Sequence, residues 1–212
     1  MKKKIAILGS TGSIGKSTID ILRKDKKNFD VVLLTTNNNY REILKQAKEF
    51  KARNIIINNK KHYLTSKEKL RNNKINIFNN FQSFNNKFKS KIDFSMSAIS
   101  GLEGLKPTLD LIKFSKTIAI ANKESIICAW NLIQQRLNKY KTKFIPVDSE
   151  HFSIWSLLDG NSSNSVEEVI ITASGGPFLK LSLNKFKKIK PQIAVKHPNW
   201  KMGKKISIDS AT

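Results

Sequence analysis

The stretch that decides the fold is residues 4–15, which read Lys-Ile-Ala-Ile-Leu-Gly-Ser-Thr-Gly-Ser-Ile-Gly. Its first five residues end in a run of four apolar residues and predict a buried strand. A helical pattern over residues 16–24 follows, with Ile19, Ile21 and Leu22 expected to face inward. The glycines between strand and helix would let the backbone approach a pyrophosphate, which the positive end of the helix dipole favours. The stretch therefore predicts the opening unit of a dinucleotide-binding fold.

The glycine motif is not a strict copy of either common phosphate loop. Ser10 stands where both the G-x-G-x-x-G pattern and the G-x-x-x-x-G-K-[ST] pattern require a glycine. A tight turn without a ligand is therefore the alternative interpretation. The position of the motif within the first strand, turn and helix favours dinucleotide binding.

The end of the second predicted strand carries no acidic residue. That strand spans residues 30–34 and continues as Thr-Thr-Asn-Asn-Asn over residues 35–39, whereas Asp30 lies at its opposite end. NAD-binding proteins commonly place a carboxylate at this position to hold the ribose hydroxyls, and a carboxylate there would repel a 2′-phosphate. The polar residues, with Arg41 nearby, favour NADP over NAD.

The remaining patterns alternate strands with helices, which is typical of a parallel sheet. Further strands are predicted at residues 54–57, 94–99, 117–121 and 143–147, and helices at residues 40–50 and 125–137. Short helices and loops are expected on the sheet edge over the Asn/Lys-rich residues 60–91. The predicted fold class is α/β, a Rossmann-like doubly wound parallel sheet over residues 1–147. Residues 148–212 predict the start of a second, α+β catalytic domain, truncated at its C-terminal end, with a helix at 152–158 and a strand at 166–173.

The amino-acid composition excludes several classes of protein. The 212 residues are 39% hydrophobic, which suffices for a core, and no apolar run approaches the ~20 residues that span a bilayer. The single cysteine, Cys128, excludes an internal disulfide framework and a cysteine-rich zinc site. A cytoplasmic protein without a membrane partner is expected.

The net charge of +23 permits several interpretations. It is compatible with a nucleic-acid partner, an anionic membrane surface or a small anionic ligand. The 21 asparagines beside many lysines and isoleucines also fit compositional drift in an AT-rich genome. The basic residues are spread along the chain and are not interleaved with aromatic residues as in a stacking platform. No nucleic-acid partner is therefore expected.

Two acidic motifs follow predicted strands. Lys123 and Glu124 come after the strand at residues 117–121, where ligands of doubly wound sheets bind. Asp148 and Glu150 come after the strand at residues 143–147. On extended backbone these two carboxylates would share a face, as suits Mg²⁺ or Mn²⁺, while His151 would point the other way. The alternative interpretations are a helix N-terminus and an ordinary surface pair.

Five motifs in one order resemble the 1-deoxy-D-xylulose 5-phosphate reductoisomerase family. They are the glycine motif at residues 9–15, Ala-Asn-Lys-Glu-Ser at 121–125, Pro-Val-Asp-Ser-Glu-His at 146–151, Thr-Ala-Ser-Gly-Gly-Pro-Phe at 172–178 and His-Pro-Asn-Trp-Lys-Met-Gly at 197–203. The resemblance implies an enzyme that rearranges a sugar phosphate on a divalent metal and reduces the product with NADPH. It also implies a homodimer in the full-length enzyme.

The resemblance assigns roles residue by residue. Cofactor contacts are expected from Thr11, Gly12, Ser13, Ile14, Asn37, Asn38, Asn39, Asn122, Glu124 and Gly203. Substrate contacts are expected from Lys123, Ser149, Glu150, Ser174, His197, Trp200 and Ser210. Asp148 and Glu150 resemble the metal ligands, and Trp200 resembles an aromatic flap residue.

Two departures from the family pattern leave alternatives open. The family usually has a glycine and a basic residue where this chain has Asn37, Asn38 and Asn39, so Arg41 or a lysine is a candidate for the 2′-phosphate. The family pattern also continues beyond Asp-Ser-Ala-Thr with residues that complete the phosphate and metal sites, which suggests a fragment. An NADP-binding domain without catalysis and a basic nucleic-acid-binding protein are the alternative functions.

Overall fold

The computed structural model describes residues 1–70, 74–158, 166–171, 175–199 and 203–211. The chain divides into two compact units, Met1–Asn161 and Ser162–Thr212. All the strands found among these residues belong to the first unit. No helix in the described ranges has both the length and the apolar character needed to cross a membrane.

The first unit is built on a parallel sheet of seven strands in the order β4-β3-β2-β1-β5-β6-β7. The strands are β1 Lys3–Leu8, β2 Phe29–Thr36, β3 Asn54–Ile57, β4 Asn76–Phe78, β5 Ile92–Ser97, β6 Ser115–Ile120 and β7 Lys143–Pro146. The order reverses direction between β1 and β5, so their C-terminal ends open a crevice in which a ligand can bind.

Helices connect the strands. In the first unit they are α1 Ser13–Lys24, α2 Tyr40–Phe50, α3 Lys60–Lys69, α4 Phe81–Lys87, α5 Leu105–Ile112, α6 Lys123–Tyr140 and α7 Ser149–Leu158, with a 3₁₀ turn at Leu102–Gly104. The second unit has a 3₁₀ segment Leu183–Lys188 and the short helices α8 Pro191–Ala194 and α9 Lys204–Asp209.

Apolar side chains cover both faces of the sheet, which confirms the doubly wound α/β prediction. One buried cluster joins β1 and β2 to α1 and α2 through residues such as Ile7, Ile19 and Ile43. A second joins the opposite face to α4 and α5 through Phe84 and Leu111. Strands covered on both faces read as continuous apolar runs, which is why the sequence predicts them well.

An irregularity in β2 shows how one strand serves both faces. Ile5 of β1 pairs with Val31, but the next residue, Ala6, pairs with Leu33, so Val32 is an extra residue. Val32 and Leu33 consequently both join the cluster under α4 and α5. A bulge of this kind leaves the extra residue unpaired, disrupts the ladder locally and reorients the side chains.

Several sequence predictions in the first unit need correction. Ile21 is 64% exposed, because α1 buries the positions of Gly15, Ile19 and Leu22. The predicted strand at 94–99 ends at Ser97, before Ile99. The region 60–91 contains the short helices that were expected, and also the unpredicted edge strand β4.

The start of α7 corrects a further prediction. Residues 148–150 are not extended, because α7 begins at Ser149. Glu150 therefore lies in the first helical turn, and the expectation that it shares the face of a strand with Asp148 is wrong. His151 does not point away from Asp148 but bonds to it.

The second unit is held by its own contacts. The amide of Phe178 donates to the carbonyl of Ala211 at 2.9 Å, and the Phe178 ring packs against Phe186 at a centroid distance of 6.3 Å. The strand predicted at 166–173 is not formed over the described residues 166–171, where Ile170 is 73% exposed. An apolar run without a neighbouring strand has no partner for its backbone groups, so the pattern alone was insufficient.

Candidate cofactor and metal site

The glycine motif forms a tight loop between β1 and α1. Gly9 has φ +75°, and a side chain there would come within 2.8 Å of the Ala98 carbonyl oxygen. A side chain at Gly15 would collide with Gly9 and Ser10. Gly12 is the N-cap of α1 and offers no side chain to cap it, so the first-turn N–H groups face the crevice uncapped by a side chain. This geometry suits an anion at the helix N-terminus.

The loop is fastened to the end of β2. The amide of Gly9 donates to Thr35 Oγ1 at 2.9 Å, and the amide of Ser10 donates to the Thr35 carbonyl at 3.0 Å. The hydroxyls of Thr11 and Thr36 are 2.7 Å apart. These bonds engage the backbone amides of Gly9 and Ser10 and the hydroxyl of Thr11. Thr11 is half-buried, and the adjacent Gly12 is exposed.

The loops after β2, β3 and β4 are joined by asparagines. The Asn59 side chain donates to Asn38 Oδ1 at 3.0 Å, and the Asn59 amide donates to the Asn37 carbonyl at 3.3 Å. The Asn79 side chain donates to the carbonyls of Ile57 and Asn58, both at 3.0 Å. We call this set of links the asparagine rim. The sequence did not reveal these links, because the strand β4 that precedes Asn79 was not predicted; the asparagines after the predicted strands β2 and β3 were the visible part of the signal.

Asn39 has a structural duty of its own. Its side chain accepts from the amide of Glu42 at 3.2 Å and caps α2. Asn37, Asn38 and Asn39 directly follow β2 at its C-terminal end, the position at which the sequence predicts the ribose of a cofactor. Asp30 lies at the other end of β2, paired with Arg53 at 2.9 Å.

Basic groups surround Tyr40 at the start of α2. The Tyr40 ring stacks on His62 at a centroid distance of 4.8 Å, with Lys69 Nζ 5.5 Å and Arg41 Cζ 6.0 Å from its centre. A hydrogen bond with Arg41 lowers the pKa of Tyr40, and Lys69 lowers it further. These groups make the β2 end electropositive, as a 2′-phosphate would require.

The N-terminus of α6 lies at the C-terminal end of β6. Its cap is Asn122, whose Oδ1 accepts from the amide of Ser125 at 2.9 Å. Lys123 is exposed and Glu124 half-buried in the first turn. The helix is interrupted at Ala129, with φ −144° and ψ 32°. The lone cysteine Cys128 is exposed immediately before that interruption.

Asp148 caps α7 at the end of the neighbouring strand β7. Its Oδ1 accepts from the amide of His151 at 2.7 Å and lies 2.8 Å from His151 Nδ1. Burial raises the pKa of Asp148, but the hydrogen bonds from His151 outweigh it and hold the pKa below its usual value. Ser149 and Glu150 are exposed on the first turn of α7.

The carboxylates fit a hard divalent cation by their donor chemistry. Asp148 stays ionised, and Glu150 lies two residues away on the same helix start. Among the described residues no group of three or more His, Cys, Asp or Glu side chains converges as a metal site. Taken alone, the two carboxylates could supply only part of the ligands of a divalent cation.

The second unit brings two predicted substrate segments together. A side chain at Gly176 would collide with the backbone of Ser210 and Ala211, so these segments are in van der Waals contact. His197 Nδ1 accepts from the amide of Asn199 at 3.2 Å, and Gly203 is exposed. Ser174 and Trp200 lie outside the described residues.

A cavity of about 860 Å³ lies between α4 and α5. Its lining includes Asn79, Asn85, Leu102 and Lys106. The predicted site residues of the described chain do not line it, so its size does not identify it as the functional site.

Comparison with known proteins matches the chain in two segments. A family model described as 1-deoxy-D-xylulose 5-phosphate reductoisomerase matches residues 5–130, and the model of that family's C-terminal domain matches residues 144–212. A relative named 1-deoxy-D-xylulose 5-phosphate reductoisomerase from Pelagibacter ubique is 61% identical over 99% of this chain and 55% of its own. A relative of the same name from Wolbachia sp. subsp. Brugia malayi is 42% identical over 99% of this chain and 54% of its own.

Solved structures of proteins with the same name are also similar to this chain. The Zymomonas mobilis reductoisomerase in complex with NADPH superposes with a TM-score of 0.87 at 36% identity, covering 100% of this chain and 54% of that one. A reductoisomerase in complex with NADPH, fosmidomycin and magnesium gives a TM-score of 0.79 at 32% identity, covering 99% of this chain and 54% of that one. The chain spans about half the length of the relatives it matches. On the family-model match, supported by the superposed fold, the chain belongs to the 1-deoxy-D-xylulose 5-phosphate reductoisomerase family.

Proposed function

We propose that the chain is part of an enzyme that converts 1-deoxy-D-xylulose 5-phosphate to 2-C-methyl-D-erythritol 4-phosphate with NADPH and Mg²⁺ or Mn²⁺. The reaction combines rearrangement of the carbon skeleton to an aldehyde with reduction of that aldehyde by hydride. The observation that carries the proposal is the uncapped α1 N-terminus beside a β2 end that lacks an acid and is surrounded by basic groups. That combination suits NADPH.

The proposed cofactor contacts follow the C-terminal edge of the sheet. Thr11, Gly12, Ser13 and Ile14 hold the pyrophosphate through the first-turn N–H groups of α1. Asn37, Asn38 and Asn39 with Arg41 receive the adenosine ribose and its 2′-phosphate. Glu124 and Gly203 serve the nicotinamide half together with the backbone at Asn122. When bound, NADPH supplies the hydride.

The proposed metal ligands are Asp148 and Glu150, supported by their position at the end of β7 and by their oxygen donors. A divalent cation bound there supplies Lewis-acid stabilisation for developing oxyanions. The hydrogen bonds from His151 keep Asp148 ionised and fix its carboxylate in place.

The proposed substrate contacts follow the resemblance to the family motifs. Lys123 supplies a positive charge, and Ser149 and Glu150 supply polar atoms beside the metal ligand Asp148. Ser174 and Ser210 serve the phosphate end, His197 contacts the substrate, and Trp200 closes over it. The contact between Gly176 and Ser210 supports a role for the Gly-Gly-Pro segment beside Ser210.

The proposal also covers the two domains, the oligomeric state, the compartment and the class of substrate. We assign residues 1–147 to the cofactor domain and residues 148–212 to the metal and substrate domain, in a homodimeric cytoplasmic enzyme. The substrate is a small sugar phosphate, and the positive charge of the chain serves anionic ligands rather than nucleic acid.

The test is direct binding by the 212-residue chain. Protein fluorescence should report NADPH binding with a lower dissociation constant than NADH binding under matched salt. Equal affinity for the two cofactors would contradict the assignment of the β2 end to a 2′-phosphate. A folded chain that binds neither cofactor would contradict the proposed function.

An NADP-binding chain without catalysis is the second candidate, favoured by the partial ligand set at β7. Substrate-dependent oxidation of NADPH, measured by absorbance with Mg²⁺ present, separates the two. Turnover supports the enzyme, whereas binding without turnover supports the second candidate for this chain alone.

A further inference from the structure

Asn122 has a side chain whose hydrogen-bonding groups are already engaged. Its Nδ2 group donates both to the carbonyl of Ile99 and, at 2.7 Å, to the carbonyl of Gly101. Its Oδ1 accepts from the amide of Ser125. The residue is 3% exposed. A primary amide has two N–H donors, so neither remains for a ligand.

These three bonds connect two different loops of the crevice. Ile99 and Gly101 belong to the segment that follows β5, whereas Ser125 lies in the first turn of α6, after β6. One side chain therefore fixes the separation of the loops beyond two adjacent parallel strands. An N-cap alone would need only the acceptor.

The local backbone is shaped to receive this amide. Gly101 has φ +71°, which favours glycine and turns its carbonyl toward Asn122. A side chain at Gly104 would collide with Asn122 Nδ2 and the Ile99 carbonyl. Gly101 and Gly104 therefore both make room for the hydrogen bonds of the Asn122 side chain.

We call the three hydrogen bonds of the Asn122 side chain the staple. Its position in the crevice relates to one half of the cofactor. The glycine loop holds the pyrophosphate above β1, and the adenosine half runs toward β2. The other half must then lie beyond β5 and β6, because the ligand crosses the crevice at the point where the strand order reverses. This step rests on the proposed function.

We propose that Asn122 is a positioning residue: its side chain does not contact the cofactor but sets the spacing of the β5 and β6 loops that receive the nicotinamide half. Loss of the staple lets those loops separate while the glycine loop and the end of β2 keep their own bonds. Binding of the nicotinamide half weakens, and binding of the adenosine half does not.

The test uses variants of the 212-residue chain. Asn122→Ser is uncharged and keeps an N-cap acceptor, but its short side chain cannot reach the two carbonyls. Gly104→Ala perturbs the same contact from the other side while leaving Asn122 in place. Asn131→Ser, at an exposed position of the same helix, is the matched control. Circular dichroism and thermal unfolding verify that each variant is folded, and Gly104→Ala carries the test if Asn122→Ser does not fold.

The probes are NADPH and adenosine 2′,5′-bisphosphate, which lacks the nicotinamide half. We expect Asn122→Ser and Gly104→Ala to raise the dissociation constant of NADPH about tenfold, as for a lost hydrogen bond. The constant for the bisphosphate should change less than about twofold. Equal weakening of both ligands, or no weakening of NADPH, overturns the inference. If the unaltered chain binds neither probe, the proposed function fails, which is a distinct result.

Discussion

Neutral polar side chains hold the ligand-binding edge of this sheet together. Thr35 and Thr36 fasten the glycine loop to β2, and Asn59 joins the neighbouring loops. Each bond contributes only about 1 kcal/mol to stability. Their effect on function is geometric, since they fix loops whose backbone groups would receive the cofactor.

Gly15 is the residue at which a small change should have a large effect. Alanine normally favours a helix interior over glycine by about 1 kcal/mol. Here the added methyl group would collide with Gly9 and Ser10, so Gly15→Ala should distort the loop and weaken NADPH binding at least tenfold. Titration by protein fluorescence measures this change. Ser17→Ala, at an exposed position of the same helix, should bind normally, and unchanged binding by Gly15→Ala would contradict the assignment of the loop.

Arg41 should contribute to the choice of cofactor. It lies beside Tyr40 at the end of β2, where a 2′-phosphate would carry negative charge. Arg41→Ala should raise the dissociation constant of NADPH roughly fivefold, in line with ~1 kcal/mol for an exposed charge, and leave that of NADH unchanged. The exposed Arg136 provides an equal loss of charge in Arg136→Ala. Parallel weakening of NADPH binding in both variants would indicate a general effect of charge.

At the scale of elements, the sequence predicts those strands and helices that have a local apolar pattern. Strand β1, the helix α2 and the doubly wound arrangement follow from buried runs and a helical stripe. Strand β4 was missed because Asn76, Ile77 and Phe78 are too few to form a pattern. It exists because β3 offers a parallel edge, and such pairing is non-local.

The same difference between local patterns and non-local contacts explains which features of the candidate site were predicted. The motifs supply the candidate residues of the site, but the extended conformation expected for residues 148–150 was wrong. The segment Asp-Ser-Glu-His carries an N-cap residue followed by a glutamate in the first turn, which is a helix-start signal. The staple at Asn122 was not predictable either, because its partners Ile99 and Gly101 are 23 and 21 residues away in the chain.

Helices α1 and α2 are linked by an ion pair with a defined dependence on pH. Hydrogen bonds from Arg23 lower the pKa of Glu49 to about 2. Because the folded pKa is below the unfolded value, this stabilisation is complete above pH ~4.3 and is lost as pH falls toward 2. Glu49→Gln should flatten the acid side of the stability curve.

The measurement is urea unfolding at several pH values between 7 and 2.5. The stability difference between the unaltered chain and Glu49→Gln should be about 1 kcal/mol or less near neutral pH, since both side chains are partly exposed. It should shrink as the pH falls. Glu68→Gln, at an exposed position of α3, controls for the loss of a negative charge. A difference that grows on acidification would contradict the assigned ion pair.

At the scale of the whole molecule, binding and turnover should separate. The first unit buries its own sheet on both faces, so residues 1–212 should fold and bind NADPH. The described residues gather only two carboxylates at the end of β7, and Mg²⁺ retains its water unless its ligands are well placed. We therefore expect no measurable substrate-dependent oxidation of NADPH by this polypeptide. Turnover at a rate proportional to the protein concentration would refute this expectation.

The asparagine rim also determines how the molecule responds to ionic strength. Its links join amide groups to amides and carbonyls, and none of them depends on a charged partner. Added salt at 0.1 M largely screens the attraction between a chain of net charge +23 and an anionic ligand at separations beyond about 10 Å. The same salt leaves the neutral links intact. Ionic strength should therefore change how strongly ligands are drawn to the crevice without changing the shape of the edge that receives them.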